Sequence, residues 1–207
     1  YALTLEDETP MAQWIKQGLM VEQDADLAAD MYEWAGCELG SSGYESYEIS
    51  NWASIKMAGK NYTCRHNLQY WRGKPYLGLG AGAHGYANHT RTANVMSPLI
   101  YIKKMQAVNE HQTLIFPASP AVSETIHQRP DEERGEFMLM GLRLTQEGVG
   151  DEEFRERFGN TLEDCYGYQI QHLTRVGLLE WVYSPSRRWK LTIKGRLLGN
   201  QVFREFI

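Results

Sequence analysis

Residues 64–73 read CRHNLQYWRG. A thiol, an imidazole, a carboxamide, a phenol, an indole and two guanidinium groups share this short stretch. Several chemistries are open. Cys64-x-His66 offers half of a metal site, with His84 and His89 available only through folding. The same pair as nucleophile and base has poor geometry, because residues two apart on a helix do not face each other. His66 and Tyr70 stand at i and i+4 and share a face if the segment is helical. An imidazole there can bind iron from one side of a porphyrin while Tyr70 and Trp71 cover its apolar plane. Arg65 and Arg72 can pair with propionates as planar forks. The plainer alternative packs Tyr70 and Trp71 in the core and hydrogen-bonds His66 to the backbone.

GLGAGAHG at 78–85 contains Gly80-x-Gly82-x-x-Gly85. It matches the dinucleotide fingerprint in letters only, because the following YANHTRT does not read as a helix. The physical expectation is a backbone that approaches a ligand or a neighbour where a Cβ would clash. An ordinary tight turn is the alternative.

These residues need elements to hold them. YALTL reads as a buried strand, and a short helix follows Pro10. Residues 24–39 read as a helix capped by Asp24 or Asp26, with Leu27, Met31, Trp34 and Leu39 as its apolar stripe. GSSG at 40–43 stops it, and YESYEIS (44–50) is β-rich, so the three form a βαβ unit. A short helix is expected at 66–72, a strand at 76–80, a hairpin at 86–95, and an amphipathic helix at 98–108 with Pro98 in its first turn. FPASPAVS is the expected domain boundary.

Beyond Pro130 the pattern is helix, helix from Asp151, and a helix behind the capping box Thr161–Asp164. That last helix turns Leu162, Tyr166, Ile170 and Leu173 to one face and ends at Gly177. A two-stranded wing follows around Ser184-Pro185-Ser186. A final helix turns Leu197, Leu198, Val202, Phe203 and Phe206 inward. This order resembles a winged-helix domain, which raises DNA binding. The presumed recognition helix, 161–176, carries Glu163 and Asp164 against Arg175, the wrong sign for a phosphate-lined groove. Arg187, Arg188 and Lys190 on the wing are the cations that could touch a phosphate.

The chain of 207 residues can bury one good core or two small ones. Its net charge of −5 gives no global basic field for nucleic acid or anionic lipid. No apolar run is long enough to span a bilayer, and YALTLEDETP lacks the features of a signal peptide. Cys37, Cys64 and Cys165 are odd in number and far apart, which fits a reducing cytoplasm better than a disulfide framework. The opening on Tyr1 within an apolar run suggests a piece of a larger protein.

YEISNWA (47–53), CRHNLQYW (64–71) and YLGLGAGAHG (76–85), in this order and spacing, resemble the C-terminal half of the HemW proteins within the HemN-like radical SAM family. GLRLTQEGV, FRERFG, GLLE and LTIKGRLLGNQVF are similar to that family's C-terminal domain. The resemblance covers nearly the whole chain.

The resemblance implies an α/β plus α+β fold. Residues 1–120 would be the end of a partial triosephosphate-isomerase-like radical SAM barrel, and 121–207 a helical, winged-helix-like domain. It implies a [4Fe–4S] cluster on a Cys-x-x-x-Cys-x-x-Cys motif, with S-adenosylmethionine on the unique iron; that motif is absent from this chain. Ala83 and His84 match a family position near the adenosyl group. His66, Asn67, Tyr70 and Trp71 match the H-N-x-x-Y-W motif of the heme chaperones, which implies heme contact, with His66 as the candidate iron ligand. Respiratory heme enzymes are the implied clients, and nucleic acid is not expected as a partner. The competing family activity is oxygen-independent oxidation of coproporphyrinogen III, for which this chain alone is expected to be inactive. Ala81 departs from a frequent family proline and is expected to loosen that turn.

Overall fold

A proline in the first turn or a capping side chain marks the start of most helices among the described residues. A computed structural model describes residues 5, 7, 9–56, 60–107, 115–183 and 186–207. The YALTL strand, but for Leu5, and the Ser184-Pro185 tip of the wing lie outside these residues. The fold is mixed α/β, in two compact units, Tyr1–Thr63 and Cys64–Ile207.

In the first unit, α1 (Pro10–Lys16) starts with proline in its first turn, and the Thr9 side chain caps it. Asp24 caps α2 (Ala25–Ser41) by accepting from the Asp26 and Leu27 amides. Gly43, at φ +81°, turns the chain into β1 (Tyr44–Glu48). β1 pairs antiparallel with β2 (Asn51–Ser54), so the strand after the helix belongs to a hairpin. The predicted stripe on α2 does not face that hairpin: Leu27, Met31 and Trp34 are exposed. Tyr32 makes the contact instead. Its ring meets Trp52 at 5.9 Å, and its hydroxyl donates to the Ile49 carbonyl at 2.8 Å.

The second unit opens with α3 (Arg65–Trp71), as the sequence suggested. Residues 76–80 form no strand; Tyr76 makes a single bridge to Tyr86. The glycines carry the difference, since Gly80 and Gly82 sit at φ +106° and +69°, outside any strand conformation. β3 (His84–Ala87) and β4 (Thr90–Asn94) form the expected hairpin across Asn88-His89, both at positive φ as a tight two-residue turn requires. β5 (Val122–His127), which the sequence did not reveal, adds a third strand beside β4. α4 (Pro98–Gln106) lies between β4 and β5 in the chain and is capped by Ser97.

α5 (Pro130–Gly141), α6 (Asp151–Phe158) and α7 (Leu162–Arg175) follow. Gly159 closes α6 in the left-handed conformation, and the Thr161–Asp164 box opens α7. β7 (Leu179–Tyr183) and β8 (Arg187–Leu191) make the expected hairpin. β6 (Val149–Gly150) joins β8 on its other side. The closing helix is broken into α8 (Ile193–Leu197) and α9 (Gly199–Arg204). Val202, Phe203 and Phe206 are buried as predicted, whereas Leu197 is exposed.

The core of this unit is aromatic. Phe154, with no exposure, meets Phe158 at 4.8 Å, Phe137 at 5.8 Å and Tyr166 at 6.2 Å, and Tyr166 meets Phe206 at 5.2 Å.

Candidate functional site

The CRHNLQYWRG segment begins with a helix that its first residue does not cap: the Cys64 side chain makes no cap bond. Cys64 is exposed. His66 is exposed too, and its ring nitrogens form no hydrogen bond among the described residues. Its ring stands edge-on to Tyr70, with centroids 5.0 Å apart and planes at 88°. Tyr70 in turn meets Tyr76 at 4.6 Å. The i,i+4 pairing of His66 with Tyr70 therefore forms, and Asn67 sits half-buried beside it.

Trp71 and Arg72 have other partners. The Arg143 guanidinium lies over the Trp71 ring, 4.5 Å from its centroid. Arg72 grips Glu147 with two nitrogens, its Nε donating at 2.9 Å. That hydrogen bond is the main reason its pKa rises. Arg65 is exposed and forms no ion pair among the described residues. Of the two arginines proposed for propionates, it alone is available.

The glycine loop is built by close approach, as expected. A Cβ on Gly78 would overlap the His84 carbonyl, and one on Gly85 would lie 2.8 Å from the Thr92 hydroxyl. A buried side chain that sequence reasoning missed, Asn94, holds this loop. Its amide donates to the carbonyls of Gly78 at 3.1 Å and Gly80 at 2.9 Å. The Gly80 amide donates to the Tyr101 hydroxyl at 3.2 Å. Ala83 donates weakly to Gly80, at 3.4 Å, and its carbonyl accepts from Asn94 at 3.0 Å. His84 opens β3 with its side chain exposed.

A second polar cluster was also not anticipated. Tyr86 donates to Glu133 Oε1 at 2.7 Å, and the His89 Nδ1–H reaches both Glu133 oxygens at 2.8 and 2.9 Å. A carboxylate offers only acceptors, so Nδ1 carries the proton. Burial, reinforced by the bond to Glu133, pushes the Tyr86 phenol up to about 12. Next to it Arg91 pairs with Glu136, which also accepts from Gln128 at 2.9 Å. Burial works against the Glu136 charge, but the Arg91 and Gln128 hydrogen bonds outweigh it and lower its pKa. Arg157 donates to the Gly73 carbonyl at 3.1 Å and contacts the Tyr86 hydroxyl at 3.5 Å. Tyr70, Tyr76 and Arg157 are among the residues around a cavity of about 40 Å³ here.

A larger open groove, about 910 Å³, runs between α6, α7 and the β7–β8 hairpin. Its acids Asp151, Glu152 and Glu163 balance its bases Arg155, Arg175 and Arg187.

In the first unit Glu48 is fully buried and braces the turn of YEISNWA. Its Oε1 accepts from the Ser50 amide at 2.9 Å and from Asn51 at 2.6 Å, while Oε2 has no partner among the described residues. A carboxylate within an aromatic strand was the available signal.

Two implied groups can be weighed against these residues. An exposed imidazole free of hydrogen bonds is competent to bind heme iron. A cluster is not matched: no group of three or more His, Cys, Asp or Glu side chains that could hold a metal occurs among the described residues. Among those residues no helix is long and apolar enough to cross a membrane.

Residues 129–198 match the HemN C-terminal domain. The heme chaperone HemW of Bacillus subtilis (strain 168) is 33% identical over 207 residues, covering 100% of this chain and 50% of that protein. The heme chaperone HemW of Lactococcus lactis subsp. lactis (strain IL1403) is also 33% identical, over 100% of this chain and 49% of its own length. The mitochondrial radical S-adenosyl methionine domain-containing protein 1 of Mus musculus is 37% identical over 90% of this chain and 41% of that protein. The chain thus spans about half the length of the curated relatives it matches. Among solved structures, the radical SAM enzyme coproporphyrinogen III oxidase (HemN) from Escherichia coli shares the fold. Its TM-score is 0.58 at 15% identity, covering 86% of this chain and 40% of that one. Similar over its whole length to about half of each of those chaperones, and matching the HemN C-terminal domain at 129–198, the chain is HemW-like.

Proposed function

We propose that this chain is the heme-contacting portion of a radical SAM heme chaperone, with His66 as the iron ligand. The observation that carries the reading is the exposed His66 imidazole, edge-on to Tyr70 and without a hydrogen bond among the described residues, at the start of the H-N-x-x-Y-W helix. His66 would hold the iron of a bound heme, with Tyr70 and Asn67 as the neighbouring side chains on the helix. Trp71 braces the helix from behind, because Arg143 occupies one of its faces. Arg65 is the side chain free to meet a propionate.

In the same reading, residues 1–120 close a partial radical SAM barrel and residues 121–207 form a winged-helix-like domain. The intact protein is cytoplasmic, uses S-adenosylmethionine and a [4Fe–4S] cluster, and hands heme to respiratory heme enzymes. Ala83 and His84 face the adenosyl group through the glycine loop that Asn94 holds. Nucleic acid is not a partner. Arg188 on the wing is engaged with Glu153 at 2.9 and 3.0 Å, and Arg187 lies 3.8 Å from Asp151, so two of the three wing cations are already paired.

The test is a heme titration of this chain and of His66→Ala, followed by the Soret band. The expected result is a ligation-dependent Soret shift in the parent chain and a loss of about tenfold or more in affinity for the variant. An identical spectrum and affinity would remove His66 as the ligand.

A further inference from the structure

Trp71 is held in an unusual way. Its Nε1–H is buried with no hydrogen-bond partner among the described residues, so burying the polar edge of the indole has a cost without return there. The compensating attraction lies on the ring face, where Arg143 stands 4.5 Å from the centroid. The same guanidinium stands 5.8 Å from the ring of Phe203, a buried residue of α9. Arg143 therefore bridges two aromatic rings. Its own position is fixed by neighbours Leu142 and Leu144, both fully or nearly fully buried.

Two further contacts act on the same end of α3. Glu147 takes the Arg72 guanidinium, and Arg157 donates to the Gly73 carbonyl. Arg143, Glu147 and Arg157 all lie within residues 129–198, the segment that matches the HemN C-terminal domain. The end of α3 and the two residues that follow it, 71 to 73, are thus held from that domain. His66 lies five positions earlier than Trp71, about 7.5 Å along the axis. A change in how Trp71 seats tilts the helix and moves the imidazole.

We propose that Arg143 is a positioning residue: through Trp71 it lets the C-terminal domain set the orientation of α3 and hence of His66. This rests on the reading of His66 as the heme ligand. The clamp itself can be measured without heme.

The experiment follows amide hydrogen exchange and heme titration in this chain, in Arg143→Ala, in Arg143→Lys and in His66→Ala. Arg143→Ala is expected to speed exchange at the Leu68 and Arg72 amides by about tenfold, with the α7 amides unchanged. It should also weaken heme binding several-fold. Arg143→Lys should fall between, because an ammonium cannot lie flat between two rings; it also serves if the alanine variant fails to fold. Unchanged exchange in α3, or faster exchange spread evenly over 129–198, overturns the proposal. If α3 alone loosens while His66→Ala binds heme normally, the clamp stands and the ligand assignment falls. If His66→Ala weakens heme while Arg143→Ala leaves both exchange and affinity intact, the ligand stands and the clamp falls.

Discussion

Replacing Phe154 by alanine is expected to destabilise the Cys64–Ile207 unit by about 3–5 kcal/mol, among the largest single-residue effects in the chain. The ring has no exposure and touches Phe137, Phe158 and Tyr166, which come from both flanking helices and its own. Removing it deletes the transfer energy of the ring and leaves a cavity that three edge-on or tilted aromatic neighbours cannot collapse into. Tyr166 adds to the difficulty. It sits at the kink of α7, at φ −136° and ψ 18°, so its backbone is already set by this packing. Thermal unfolding should fall by roughly 10 °C. Phe154→Leu, which refills most of the volume, should recover more than half of the loss. A loss below about 1 kcal/mol in the alanine variant would mean that the aromatic cluster is not the centre of the core.

Glu133→Ala is the second. The carboxylate is 7% exposed and takes the Tyr86 hydroxyl and the His89 ring N–H together. Its removal strands the buried Tyr86 donor and frees His89 from a turn held at positive φ. The expected cost is about 3 kcal/mol, the penalty of an unsatisfied buried donor plus a lost charge-assisted bond. The double variant with Tyr86→Phe should cost clearly less than the sum of the two singles, because it removes donor and acceptor together. Denaturant unfolding of the four proteins in the cycle decides this, and strict additivity would sink the network.

The same contact sets a pH window. The Tyr86 phenol is raised from 10.0 to about 12, so its neutral form is the one favoured by folding. That contribution is fully present below the ordinary phenol value and is lost as pH rises from about 10 to about 12. In Glu133→Ala the ultraviolet titration of Tyr86 should move back toward the ordinary value.

The local part of this fold was legible in the sequence. Asp24, Thr161 and Gly177 announce helix ends through side-chain oxygens or a missing Cβ, and such signals act within four residues. The hairpin within 86–95 was legible from its alternation of polar and small residues. β5 was not, because its residues are mostly exposed and it exists by pairing with β4, some thirty positions away. The stripe of Leu27, Met31 and Trp34 was read correctly as helical but is exposed, because periodicity states which residues share a face and not what that face meets. In the candidate site, the His66–Tyr70 spacing could be read directly. Asn94, Glu133 and Arg143 could not, since each acts on a partner at least fourteen residues distant. Local chemistry read Trp71 as a cover for a planar ligand; the Arg143 guanidinium over its ring was beyond reach of the sequence.

The tie between α5 and the β3–β4 hairpin bears on how this chain can be cut. A fragment begun at Arg129, where the matched domain starts, would keep Glu133 and Glu136 but lose Tyr86, His89 and Arg91, which neutralise or bond them. Glu133, 7% exposed in the fold, would be uncovered together with Glu136, and both would lose the partners that bond them. That fragment should unfold at lower denaturant than one begun at Cys64, which carries these partners with it. The boundary that is useful at the bench is therefore the edge of the hydrogen-bond network, some sixty-five residues before the edge of the sequence family.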